Sequence, residues 1–96
     1  MNLLHNCEAQ FLELAAGPTK TVRLGIHAAE IVKRYWPELN AEQQDRLQAW
    51  LAAVHTGATR LMAPALLKER LRRAAVAAAA IDAIAAIKRK APPERG

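Results

Sequence analysis

Cysteine is nearly absent from this 96-residue chain. Cys7 stands alone, so no internal disulfide can form. A small domain without such staples suits a reducing compartment. Aromatic residues are scarce as well: Phe11, Tyr35, Trp36 and Trp50. The glycines, Gly17, Gly25, Gly57 and Gly96, are all isolated. That spacing excludes the glycine-rich loop that cradles phosphates. Period-2 alternation of apolar and polar residues is missing, so no strand is predicted.

Long apolar runs are also lacking. The longest, Ala74 to Ile87, is interrupted by Asp82. As a helix it would reach about 21 Å, short of the roughly 30 Å of a bilayer core. The first residues, Met1 to Leu14, carry Glu8 and Glu13 and no basic stretch ahead of an apolar one. They do not read as a secretory signal. The expected location is cytoplasmic, with no membrane partner.

Hydrophobic residues make up 52% of the chain, which is a folding composition. Yet 22 of them are alanine. Alanine removes little area from water, and burial stabilises by roughly 25 cal/mol per Å². A core this thin favours self-association or a partner. The length fits one domain. We read residues 1–90 as a single helical domain and 91–96, with Pro92 and Pro93, as a flexible tail.

Apolar spacing is helical throughout and predicts an all-α fold: a small bundle of about four helices. The first covers Asn2 to Ala16, with Leu4, Cys7, Phe11 and Leu14 in one stripe, and Gly17-Pro18 stops it. The second starts at Thr19 or Lys20 and ends at Tyr35 or Trp36, before Pro37. Val22, Ile26, Ala29 and Trp36 fall on one side, and Leu24, Ala28, Ile31 and Tyr35 nearly opposite. So wide an apolar arc predicts that this is the central, most buried helix.

Asn40 is a good N-cap for the third helix, with Gln43 placed as in a capping box. Leu47, Trp50, Leu51, Val54, Ala58, Leu61 and Met62 keep one stripe in phase. The phase survives Gly57, so one long helix is expected there. Pro64 suits the first position of a fourth helix, long, alanine-rich and basic. Leu67, Leu71, Ala74, Ala78, Ile81 and Ala85 recur at spacings of four and three, like a coiled-coil seam. Val76, Ala80, Ala83 and Ile87 lie on the opposite side. Either one of these stripes packs on the first three helices and the other faces a second molecule, or a central fourth helix buries both within the chain. The first arrangement is the leading expectation. The stripe of Val76, Ala80, Ala83 and Ile87 is then expected to be a helix–helix interface with another molecule, a homodimer first of all.

Chemistry is hard to find. His5 and Cys7 are two apart and face different ways on a helix. His27 and Glu30 share a face, but a metal site needs three or four ligands. His55 has no partner four residues away. Cys7 lacks any local signature of a positioned base. No metal, no cofactor and no enzymatic activity are expected. Ala53 and Gly57 have the spacing seen in helix-turn-helix motifs. Pro64, however, would break the recognition helix.

Net charge is +5, unevenly placed. Residues 1–59 balance to −1 and residues 60–96 to +6. Lys68, Arg70, Arg72 and Arg73, then Lys88, Arg89 and Lys90, are the candidate contact residues for an acidic protein surface or for nucleic acid. No aromatic side chain interleaves with them for base stacking. They equally suit a solvated collar around an alanine-rich helix, with the last three stabilising its C-terminus through the dipole. Asp82 is the lone acid of the alanine segment. It is expected near the edge of an interface, paired with a basic residue, or simply in water.

The alanine- and arginine-rich composition resembles that of small accessory proteins of GC-rich bacteria and of their phages and plasmids. The leading expectation is a non-enzymatic helical protein-interaction module: an adaptor, regulator or inhibitor that docks on an acidic or apolar groove of a partner protein. The alternative is a nucleic-acid-binding protein that uses the basic C-terminal segment. DNA mimicry does not fit a chain of positive charge.

Overall fold

The structure, a computed structural model, describes residues 2–57 and 64–90, apart from the side chains of residue 21 and residues 64–68. Four helices pack into a small all-α bundle: α1 (Leu3–Ala16), α2 (Thr21–Tyr35), α3 (Ala41–Gly57) and α4 (Pro64–Lys90). A short 3₁₀ turn, Trp36–Glu38, follows α2. Among the described residues there is no strand. The predicted tail, 91–96, and the predicted run of the third helix beyond Gly57 lie outside the described residues.

Local chemistry explains the helix ends. The Asn2 side chain accepts from the backbone N–H of Leu4 at 2.9 Å and of His5 at 3.3 Å, which caps α1. Gly17 ends that helix in an extended conformation, its N–H donating to the Glu13 and Leu14 carbonyls. Asn40 and Gln43 form the reciprocal capping box that their spacing predicts. Gln43 N–H donates to Asn40 Oδ1 at 2.8 Å, and Asn40 N–H donates to Gln43 Oε1 at 3.0 Å. Pro37 sits in the first turn of the 3₁₀ segment, and Pro64 opens α4, where its missing N–H leaves no helical bond unmade.

The core gathers side chains from every helix. Phe11, Leu24, Val32, Leu47, Leu51 and Ile84 are among its largest fully buried members. Burial of each such side chain is worth about 1.5–3 kcal/mol. Among the described residues no polar or charged side chain is buried. At the rim, Gln10 Nε2 donates to Tyr35 Oη at 2.6 Å, and Arg34 donates to Gln10 Oε1 at 3.4 Å, tying α1 to α2. Gln44 Nε2 donates to the Trp36 carbonyl at 2.9 Å, joining α3 to the 3₁₀ turn.

Two expectations about the faces are corrected here. The central helix is α4, which packs against each of the other three, although α2, with Leu24, Ala28, Ile31, Val32 and Tyr35 buried, is well enclosed as expected. In α2 the Leu24, Ala28, Ile31 and Tyr35 side is buried, while Val22 (84% exposed) and Ile26 (57%) face outward. In α4 the stripe expected to meet a second molecule is core instead. Val76 and Ala80 are 2% and 0% exposed, with Ala77 and Ile84 buried beside them, and Ala83 and Ile87 pack partly buried against the same cluster. On the other stripe Leu71 is 53% exposed, although Ala74 is buried. Small side chains are the reason. Methyl groups let three helices approach α4 closely, so its sides are covered within one chain.

The closeness of α2 and α4 shows at Gly25. A Cβ built there would sit 3.7 Å from the Ala79 Cβ, an ordinary van der Waals contact, and the glycine has no positive φ. Gly25→Ala is therefore expected to stabilise the protein by about 0.5–1 kcal/mol, since glycine is disfavoured in a helix interior by about that amount. Denaturant unfolding measures it, and a destabilised variant would show that α2 and α4 pack more tightly than this contact.

Candidate functional site

The predicted basic residues separate into distinct roles. Arg72 is spent inside the chain. Its guanidinium donates to the carbonyls of Ala15 and Thr19, each at 2.9 Å, and to that of Gly17. These carbonyls belong to the C-terminal end of α1 and the connection to α2, where orphan acceptors and the helix dipole both attract a cation. Arg72 is thus corrected from contact residue to structural clamp.

Arg73 pairs with Glu69 one turn away at 2.8 Å. Arg70 has no ion-pair partner among the described residues. The Lys68 side chain lies outside the described residues. At the far end of α4, Lys88 Nζ donates to Gln48 Oε1 at 3.2 Å and stands 5.7 Å from the Trp36 ring centroid, within cation–π range. Arg89 and Lys90 are exposed. At 1.5 Å per residue, Arg73 and Lys88 are about 22 Å apart along α4. The basic residues therefore make no single patch. Asp82 is exposed.

Arg70 and Arg73 instead stand beside a groove between α1, α3 and α4. Its volume is about 230 Å³. Leu12, Trp50, Ala53, Val54 and Gly57 form its apolar surface, and the two arginines of α4 form one wall. Leu12 is 42% exposed. A second, much smaller cavity of about 10 Å³ shares Leu12, Trp50, Val54 and Arg73 with the groove and is lined also by Phe11, Leu51 and Val76. The Phe11 ring lies 6.4 Å from Trp50 at a 40° tilt, a packed aromatic pair.

The groove has a local cause. α1 and α3 meet only lightly, so α4 bridges them and a gap is left between them. Ala53 and Gly57, one turn apart on α3, present a methyl group and no side chain. A Cβ at Gly57 would meet nothing within 4 Å. No local pattern could have revealed this site, because its residues come from three helices. The nearest signal is Leu12, which falls off the Leu4–Cys7–Phe11 stripe of α1 and is large and apolar all the same.

The other candidate groups stay apart. His27 Nδ1 is 3.4 Å from Glu30 Oε1 at the surface. Among the described residues no set of three His, Cys, Asp or Glu side chains could hold a metal ion. Cys7 is fully buried, and desolvation, with a smaller contribution from nearby Glu8, pushes its thiol pKa up to about 12. A protonated, enclosed thiol is a poor nucleophile. We expect it to resist a thiol reagent in the native protein and to react at the rate of unfolding. Prompt labelling at neutral pH would contradict this burial. The same shift has a pH signature. The neutral thiol favours the fold fully below the unfolded pKa near 9, and that contribution is lost as pH rises toward 12.

No protein-family model matches the chain, and no curated protein or solved structure similar to it was found. Among the described residues no helix is long and apolar enough to cross a membrane.

Proposed function

We propose that this protein is a non-enzymatic helical interaction module, a small adaptor, regulator or inhibitor that works by docking on another protein. One observation carries the reading: an open apolar groove with a tryptophan in its surface and two arginines on its wall. Trp and Arg are the side chains most enriched where protein interfaces concentrate their binding energy. The polar groups that chemistry would need do not converge on it. The groove is also smaller than the roughly 300–1,000 Å³ usual for small-molecule pockets, and it matches a protruding side chain better than a free ligand.

The partner in this reading is a different protein. The geometric ground for a homodimer, the Val76–Ile87 face of α4, packs within the chain. The cytoplasm remains the proposed location, on the grounds of the lone cysteine.

Capture on the tagged protein from its source cell, with separate identification of bound proteins and nucleic acids, tests the reading. A protein retained in stoichiometric amount, through salt washes, supports it. The alternative is nucleic-acid binding through Arg70, Arg73 and the Lys88–Lys90 end. Affinity for DNA or RNA would then fall with log salt at a slope of about 0.9 per phosphate contact. Retention of nucleic acid alone, lost steeply as salt rises, would replace the interaction module with that alternative.

A further inference from the structure

We infer that the groove between α1, α3 and α4 receives an acidic, amphipathic segment of a partner protein, with a large apolar side chain over Trp50 and a carboxylate on Arg70 and Arg73. This deepens the interaction-module reading and rests on it.

Charge complementarity selects the occupant. The apolar surface of Leu12, Trp50 and Val54 asks for an apolar side chain, and its volume has room for one or two. The wall is cationic. Arg70 and Arg73 are three residues apart on α4, hence on the same face. Arg73 already shares Glu69, but a half-exposed pair of this kind is weak and easily exchanged. Arg70 brings a positive charge with no counter-ion among the described residues. A guanidinium beside a partly desolvated groove favours a carboxylate, which it can bind with two parallel hydrogen bonds. A second copy of this chain is a poorer match, because its residues 60–96 carry a balance of +6 that repels the same wall and its residues 1–59 offer a balance of only −1. A basic partner is repelled by the wall, and a nucleic acid, whose bases could stack on Trp50, would leave Leu12 and Val54 unfilled.

The test is selection of a displayed library of random-sequence peptides on the intact protein. Enriched sequences are expected to pair a large apolar residue with Asp or Glu within one helical turn. Their binding should shift the Trp50 indole N–H signal in NMR spectra and leave that of Trp36 in place. Arg70→Glu/Arg73→Glu should weaken the selected peptides by about tenfold or more, and selection on that variant should turn toward Lys and Arg. Ala53→Glu, on an exposed position of α3, should block the same peptides by offering the arginines an internal carboxylate. Circular dichroism of both variants verifies that they fold. The inference is overturned by enrichment of basic or uncharged sequences, by shifts at Trp36 rather than Trp50, or by the absence of any enrichment. A partner captured from cells that binds Arg70→Glu/Arg73→Glu undiminished would overturn the groove assignment while leaving the interaction-module reading standing.

Discussion

Ala80→Arg is expected to leave no folded protein. Ala80 is 0% exposed and lies on α4 where the helix faces the core, with Val76, Ala77 and Ile84 buried around it. An arginine there must either displace packed helices or bury an unpaired charge. The effective penalty for burying one ion is several kcal/mol, and a domain of this kind holds only about 5–15 kcal/mol in total. Snorkelling to water is hard from a position enclosed by neighbouring helices. The expected result is loss of the cooperative thermal transition and of most helical circular dichroism. Asp82→Arg, two residues away at an exposed position, is the matched control and should fold normally. A folded Ala80→Arg variant that had merely lost self-association would instead place this face between molecules.

The second large effect belongs to Arg72. Arg72→Ala removes a guanidinium that serves three backbone carbonyls around the end of α1. Hydrogen bonds to charged groups contribute about 1.5–3 kcal/mol, and orphaned acceptors add their own desolvation cost. A loss of about 2–3 kcal/mol is expected on the same basis. Arg72→Lys should recover little of it, since one ammonium cannot reproduce the planar fork. The neighbouring substitution Arg73→Ala breaks only an exposed pair one turn apart and should cost about 0.3–0.5 kcal/mol. Chemical denaturation of the three variants measures the contrast. Equal effects at Arg72 and Arg73 would mean that the clamp does not hold the α1–α2 connection.

Arg72 also shows where reading the chain in one dimension stops. In the sequence it belongs to a cluster of four basic residues, Lys68, Arg70, Arg72 and Arg73, and looks like its neighbours. The carbonyls that claim it are more than fifty residues away, at Ala15, Gly17 and Thr19. Local rules worked where the cause was local. Asn2, the Asn40–Gln43 pair, Pro37 and Pro64 mark helix ends by hydrogen bonds or steric limits that act within one turn. They located α1, α2, the start of α3 and the start of α4 closely, while the expected continuation of α3 past Gly57 lies outside the described residues.

Faces were harder, for a physical reason. The two stripes of α4 differ little in composition, because both are mostly methyl groups. Periodicity then cannot tell which one meets the core. The decision falls to neighbours such as Leu24, Leu47 and Phe11 on the other helices, which pack on the Val76–Ala80–Ile84 side. The wide apolar arc of α2 misled in a similar way. Val22 and Ile26 extend it, yet they face outward, one turn apart on the same exposed side of the helix. Beyond Leu12, which falls off its stripe, the groove was not legible in the sequence, because Leu12, Trp50, Ala53 and the two arginines are joined only by tertiary packing.

The most direct measurement is photo-crosslinking in the source cell from a benzophenone side chain at position 16, an exposed position one turn from Leu12 on α1, with position 90 at the far end of α4 as the comparison. A protein adduct is expected from position 16, absent from position 90 and lost when Arg70 and Arg73 are both changed to Glu. Adducts to nucleic acid, or protein adducts formed only from position 90, would contradict docking through the groove.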